Sequence, residues 1–406
     1  MSEKTSLAPG GLGEVFAAFL KLGLSAFGGP IAHLGYFRDE FVVRRGWLDG
    51  RAYGDLIALC QFLPGPASSQ VGFALGWLRA GPLGALVAWA AFTLPSAIAL
   101  TLLALGLGWA HGAWLEGLRH GLQLVAVVIV AQALWSMART LAPDLTRLAI
   151  AVLALAVLWL APGSLAQIAA IGFGALAGFV FCRAAPAEAG PGFALHVTQR
   201  TAGLALAIFV ALLLAALLAP VFVAKGPAAE FAAFYRSGAL VFGGGHVVLP
   251  LLEAAVVDPR WVDREVFLSG YGAAQAMPGP LFAFAAFLGA SMKIAPRGAL
   301  GAALDLVAIF LPGMLVLLGA SPFWRALRAK AYAQAPIRGV GAAVVGVLGA
   351  AFYNPVWTNA VLSGADLVAA AAGLGLLMFA RAPPIAIVLL GSAFGVAQAY
   401  FLGSRW

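Results

Sequence analysis

Charge is scarce in this chain. Asp, Glu, Lys and Arg supply 10% of its 406 residues, where about a quarter is ordinary for a soluble domain. Hydrophobic residues reach 63% and the mean hydropathy is +0.97, which excludes a soluble globular protein. Cysteine is nearly absent: Cys60 and Cys182 sit inside apolar runs without pairing or metal-ligand spacing, so no disulfide framework is indicated. Catalytic signatures are missing too, with no H-E-x-x-H, no G-x-S-x-G, no CxxC and no P-loop. No enzyme activity, metal or cofactor is therefore expected, and without a P-loop the chain cannot drive itself with ATP. The net charge of +8 lies in short loops between apolar runs rather than in a basic patch interleaved with aromatics, which argues against nucleic acid and for a lipid bilayer as partner.

What the chain has in abundance is apolar runs near the length that spans a bilayer core. They fall near 14–34, 52–78, 83–107, 117–138, 145–161 and 164–182, then 201–223, then 229–250, 266–291, 298–319, 336–353, 360–379 and 383–402. A polar connector, Arg183 to Arg200 with Pro186, Pro191 and Gly192, precedes the middle span. The stretch before Leu12 is too short and too mixed in charge for a secretory signal, and Lys21 interrupts the first apolar run, so that run reads as a structural helix.

The two sets of runs are copies. Phe27-Gly28-Gly29-Pro30 and Gln61-Phe62-Leu63-Pro64-Gly65-Pro66 reappear in order as Phe242-Gly243-Gly244-Gly245 and Gln275-Ala276-Met277-Pro278-Gly279-Pro280. Flanking residues follow: Phe19 with Phe234, Gly23 with Gly238, Leu34 with Leu249, Trp47 with Trp261, Asp49 with Asp263 and Phe73 with Phe287. The organisation is therefore a first transporter repeat (1–182), a connector with a linking span (183–227) and a second repeat (228–406). An odd span between copies of about six segments places the second copy upside down. The expected fold is an all-α polytopic membrane protein of two inverted repeats with broken helices and one linking span.

The loop charges fit this only in part. With the N-terminus inside, Arg139, Arg147, Arg183, Arg200, Arg325, Arg328, Lys330 and Arg381 fall in cytoplasmic loops. Arg38, Arg44, Arg45 and Arg51 fall outside if the first segment spans, so either that segment is re-entrant or the charge bias is overridden.

Gly28-Gly29-Pro30 inside an apolar run must interrupt its helix, and freed backbone is tolerated at membrane depth only where it is buried in protein or lines a cavity. A half-helix that begins at such a break aims N–H groups and a positive dipole end at that cavity, which suits an anion. Pro64-Gly65-Pro66, followed by Ser68, Ser69 and Gln70, does the same; Pro278-Gly279-Pro280 is followed by apolar residues. The bland alternative is a set of packing kinks. Lys21 and Arg236 occupy equivalent positions before their breaks and either balance a dianion or snorkel to the interface. Asp305 lies mid-run as a coupling candidate, or else pairs with a cation or stays protonated. His33 and His246 follow the breaks at non-equivalent positions and either bind substrate or are structural, while His111 and His120 flank a loop. Arg79 and Lys293 read as interfacial anchors. Gly72/Gly76, Gly117/Gly121, Gly174/Gly178 and Gly391/Gly395 allow close helix approach and leave homo-oligomerisation open.

These blocks resemble the signatures of the chromate ion transporter family in its long-chain, two-domain form. In the first half the resemblance rests on Gly23 to His33 and Leu59 to Gln70; in the second, on Phe242 to Pro250 and on Gly270 to Gln275 leading into Pro278-Gly279-Pro280. It covers nearly the whole chain. It implies a multi-pass protein of the plasma membrane that exports chromate from the cytoplasm and confers resistance, with sulfate as a competitor. Sulfate or another oxyanion as cargo is the alternative on the same fold, and a scaffold with packing kinks is the more distant one.

Overall fold

A computed structural model of the chain describes residues 11–109, 112–161, 163–182, 195, 197–223, 225–328 and 331–401. The first ten residues, His111, most of the Arg183 to Arg200 connector with Pro186, Pro191 and Gly192, and Lys330 lie outside the described residues, as do the side chains of Arg325 and Arg328. No β-strand occurs among those described.

The first repeat comprises α1 (Leu12–Ser25), α2 (Gly29–Phe37) continued by a π-helical stretch (Arg38–Arg44), α3 (Gly50–Phe62), α4 (Ala67–Trp109), α5 (Ala113–Leu141), α6 (Leu145–Leu160) and α7 (Ser164–Phe181). The linking helix is α8 (Gln199–Phe222). The second repeat opens with α9 (Pro227–Ala239), and a 3-10 turn (Gly245–Val247) leads into α10 (Val248–Val256). It continues with α11 (Arg264–Ala274), a second turn (Leu281–Ala283) leading into α12 (Phe284–Ser291), and α13 (Gly298–Ala320). It ends with α14 (Trp324–Arg328), α15 (Ala331–Ala351), α16 (Thr358–Ala360), α17 (Gly364–Met378) and α18 (Pro384–Phe401). Six helical stretches, within α4, α5, α8, α13, α15 with its extension, and α18, are long and apolar enough to cross a membrane.

The first segment is re-entrant. Glu14 in the first turn of α1 meets Arg45, just past the π-helical stretch, at 3.2 Å, and Trp47 Nε1 at 3.3 Å. Phe19 of α1 stacks on Phe41, so α1 and the returning arm run side by side. The second segment folds back too: Arg79, before the non-helical Ala80-Gly81 break in α4, bonds Glu14 at 2.7 Å and lies over the Trp47 ring. Both hairpins thus start and finish on one face, and the connector with Arg38, Arg44, Arg45 and Arg51 returns to it. The start of α8, beside Arg200, comes to that same face, where Thr198 and Thr201 share a cavity with Trp77 and Pro82. The connector that the charge bias put on the wrong side therefore lies on the same face as the start of α8, which removes its conflict with Arg200.

The second repeat enters from the opposite face. The start of α8 shares a cavity with Trp77 and Pro82, whereas its end shares one with Arg236, Asp258 and Trp261. Lys293 closes the second repeat's hairpins through its N–H to Trp261 O (2.8 Å) and its ammonium to Asp263, as Arg79 closes the first pair beside Trp47. Two re-entrant segments remove an even number of crossings from each copy, so the inversion read from parity survives.

The repeats also interlock. Gly117 and Gly121 of α5 pack backbone to backbone on Gly395 and Gly391 of α18, and Gly174 and Gly178 of α7 pack on Gly339 of α15. The small residues let these helices approach closely where lipid supplies no hydrophobic drive. Each repeat's long helix is thus clasped by the other repeat's last helix. Beside this clasp His120 of α5 bonds Asp366 of α17 at 2.9 Å, and Asp366 completes a capping box with Ser363.

Candidate functional site

The four breaks meet at the centre of the molecule in two symmetric pairs. Gly65 donates its N–H to Val241 O at 2.8 Å, and Gly279 donates its N–H to Ala26 O at 2.9 Å. Ala26 and Val241 are equivalent positions, as are Gly65 and Gly279, so one contact is the image of the other under the inverted repeat. Gly65 (φ 114°) and Gly279 (φ 93°) take backbone conformations that a side chain disfavours. A Cβ at Gly65 would lie 2.9 Å from Gly313 Cα, and one at Gly279 would lie 3.0 Å from Ser96 Oγ. Pro30 and Gly245, also equivalent, touch where the two first breaks face each other.

Two half-helices start here without a side-chain cap. Gly28 precedes α2 with no capping hydrogen bond, and the 3-10 turn after Gly244 has none either. The amide groups at the start of α4, around Ser68 and Ser69, belong to the first turn and have no intrahelical acceptor. Ser68 and Ser69 are buried, and Ser69 Oγ has no partner among the described residues. Gln70 Nε2 bonds Pro64 O at 3.0 Å and Gly313 O at 2.8 Å, tying the first repeat's second break to α13, while Gln70 Oε1 has no partner among the described residues. Thr93 Oγ1 is likewise buried without a partner among the described residues, and the Gln275 side chain, with Nε2 buried, lies beside the Tyr271 hydroxyl. Ends of this kind accept an anion readily, because several N–H and O–H donors converge at the positive ends of helix dipoles.

The histidines act locally. His33 Nε2 lies 3.1 Å from Ala26 O, and a carbonyl only accepts, so Nε2 carries the proton and Nδ1 is the bare nitrogen, buried without a partner. Ala26 O therefore receives both His33 and Gly279. His246 Nδ1 pairs with the Tyr271 hydroxyl at 2.6 Å.

The structure does not gather every candidate. Phe27, Gly28, Gly29, Pro30, Pro64, Pro66, Phe242, Gly243, Gly244, Pro278 and Pro280 lie on the break segments themselves, whereas the Gln61 side chain is exposed at the end of α3. Lys21 lies on the outer arm of its hairpin, 59% exposed and 3.7 Å from Glu40, which also receives Arg44 and Arg45. Arg236 turns its Nη1 to Ala216 O of α8 at 3.1 Å, beside a cavity of about 580 Å³. The two cations share neither a partner nor a break. Asp305 is fully buried in α13.

Sequence reasoning passed over α4 and α13 as walls of the site. Phe92 and Ser96 of α4 flank Gly279, and Gly313 of α13 flanks Gly65. A third duplicated block carried the signal: Ala91-Phe92-Thr93-Leu94-Pro95-Ser96 matches Ala308-Ile309-Phe310-Leu311-Pro312-Gly313 in its Ala and Leu-Pro positions.

Comparison with known proteins agrees with the duplication. A family model described as chromate transporter matches residues 13–179 and again 228–396. The chain is 29% identical to a chromate transport protein of Pseudomonas aeruginosa, over 83% of this chain and 79% of that protein. It is 29% identical to a probable chromate transport protein of Synechococcus elongatus, over 82% of this chain and 81% of the relative. A chromate transport protein of Cupriavidus metallidurans is 27% identical, over 83% and 80% respectively. No solved structure shows a significant match. With both halves matched and the paired breaks in place, this multi-pass chain belongs to the chromate transporter family.

Proposed function

We propose that the protein is a secondary carrier that exports chromate across the plasma membrane and so gives resistance to it. The observation that carries the proposal is the reciprocal bonding of the breaks, Gly65 to Val241 and Gly279 to Ala26. Two half-helix starts, the Ser69 hydroxyl and the Gln275 amide surround this junction, and a tetrahedral dianion suits such converging donors. The breaks, with Ser68, Ser69, Gln275, His33 and His246 beside them, form the proposed oxyanion site. Lys21 and Arg236 act from the hairpin arms, raising the local positive potential without touching the anion. Alternating access follows from rocking one repeat against the other, which exchanges the two hydrogen-bonded pairs in turn.

Energetics permit export without a coupled ion. An interior negative by about 100 mV drives a dianion outward by about 4.6 kcal/mol, twice the roughly 2.3 per charge. That supports a gradient above about a thousandfold. The test is chromate flux in proteoliposomes holding the purified chain, under an imposed potential, with and without sulfate. Flux that follows the potential and falls with added sulfate supports the reading. Absence of chromate flux where sulfate alone moves would replace chromate by sulfate as cargo, and flux directed only inward would reverse the direction.

A further inference from the structure

Two acids are buried together away from the anion junction. Glu230 in the first turn of α9 and Asp305 of α13 are each 0% exposed. The two carboxyls face each other, and apart from that mutual contact none of their four oxygens has a hydrogen-bond partner among the described residues. Neither acid is mirrored in the other repeat: the positions equivalent to Glu230 and Asp305 are Val15 and Ala88.

Among the described residues no cation faces the pair. On α9, the Arg236 guanidinium turns to Ala216 O and the Tyr235 hydroxyl bonds Phe209 O. On α8, which packs on both helices, the ionisable side chain is Arg200, at the far end. On α10, Glu253 lies 3.5 Å from Arg264. On α4, Arg79 is held by Glu14 at the other face. The helix α12 and the 3-10 turns Leu281–Ala283 and Ser321–Phe323 carry no ionisable residue. Two carboxylates in contact, dry and without a cation, cannot both be charged.

We infer that Glu230 and Asp305 form a proton-binding site that holds at least one proton in this state and gives the carrier a proton-coupled step. The helices that carry the pair give it that link. Gly238 of α9 presses on Ile309 O of α13, so the re-entrant hairpin and the spanning helix of the second repeat move with the pair between them. Separating them lets water reach the carboxyls, and the proton leaves to water as the pair ionises; closing them takes one proton from water on the second repeat's side. Aspartate and glutamate thus serve as a site for a second ion, the proton, on one repeat alone. The inference rests on the carrier reading for its coupling, whereas the held proton stands independently of the cargo.

The test uses the full chain in vesicles with two readouts. Infrared absorption of protonated carboxyl groups is followed through a pH titration; the expected result is a component persisting at neutral pH in the wild type and removed in the double variant Glu230→Gln, Asp305→Asn. Chromate flux is then measured at fixed potential with and without a pH gradient. The gradient is expected to change wild-type flux by about fivefold, with the ratio near one in both Asp305→Asn and Glu230→Gln. No protonated band at neutral pH overturns the proton site. A wild-type flux indifferent to the gradient, or a ratio unchanged in both variants, overturns the coupling. If no anion moves in any vesicle the carrier reading fails, and the infrared band still decides whether the pair holds its proton.

Discussion

The N–H of Gly65 donates to Val241 O at 2.8 Å across the two repeats, and the inverted image of that bond runs from Gly279 to Ala26 O. Backbone atoms thus make the junction, and the residue types around it are those that let backbone reach backbone. On the proposed carrier reading, the oxyanion is held chiefly by amides, with the Ser69 hydroxyl and the Gln275 amide beside them.

Alanine at Gly65 is expected to lower flux by at least about tenfold, since a non-glycine residue at positive φ costs about 1–2 kcal/mol. The added Cβ must also displace Gly313. Gly279→Ala, opposed by Ser96 Oγ and Phe92 O, is expected to behave alike. Flux in vesicles at matched protein content checks both; wild-type rates in the two variants would remove the junction from the mechanism.

Neutralising Lys21 or Arg236 is expected to lower flux by about two- to tenfold rather than abolish it, because a charge acting at range through a screened medium contributes on the order of 1 kcal/mol. The loss should grow as ionic strength falls. Lys21→Gln and Arg236→Gln measured at low and high salt check this, and complete loss in either would mean that the cation touches the anion.

Cysteines placed at Arg45 and Arg381 are expected to react with an impermeant thiol reagent from the cytoplasmic side. Cysteines at Arg260 and Arg297 should react from the other side. The native Cys60 and Cys182 are buried, which keeps the background low. Labelling of Arg45→Cys and Arg297→Cys from one side would contradict the inverted arrangement.

Much of this architecture was legible in the residues. The duplicated Gly/Pro blocks marked the breaks, and counting crossings gave the inversion. The re-entrant course of the first two segments was not legible from apolar length, because a hairpin and a span bury the same composition. Only the contacts of Glu14 with Arg45 and Arg79 separate them. Lys21 and Arg236 looked like a symmetric pair because sequence shows position along a helix, whereas Glu40 and Ala216, which turn them aside, are brought up by tertiary folding. The Leu-Pro block at Pro95 and Pro312 was visible but lies within long apolar runs without a neighbouring Gly-Pro cluster, where proline reads as a mild kink.

The clasp between α5 and α18 sets an order of assembly. The glycine face of α5 has no mate until Gly391 and Gly395 have left the ribosome, whereas α7 must keep its own face free until Gly339 arrives. The first repeat therefore waits in the bilayer, half-assembled, through most of translation. A chain halted before its last helix would leave a span with the small residues of α5 turned to lipid.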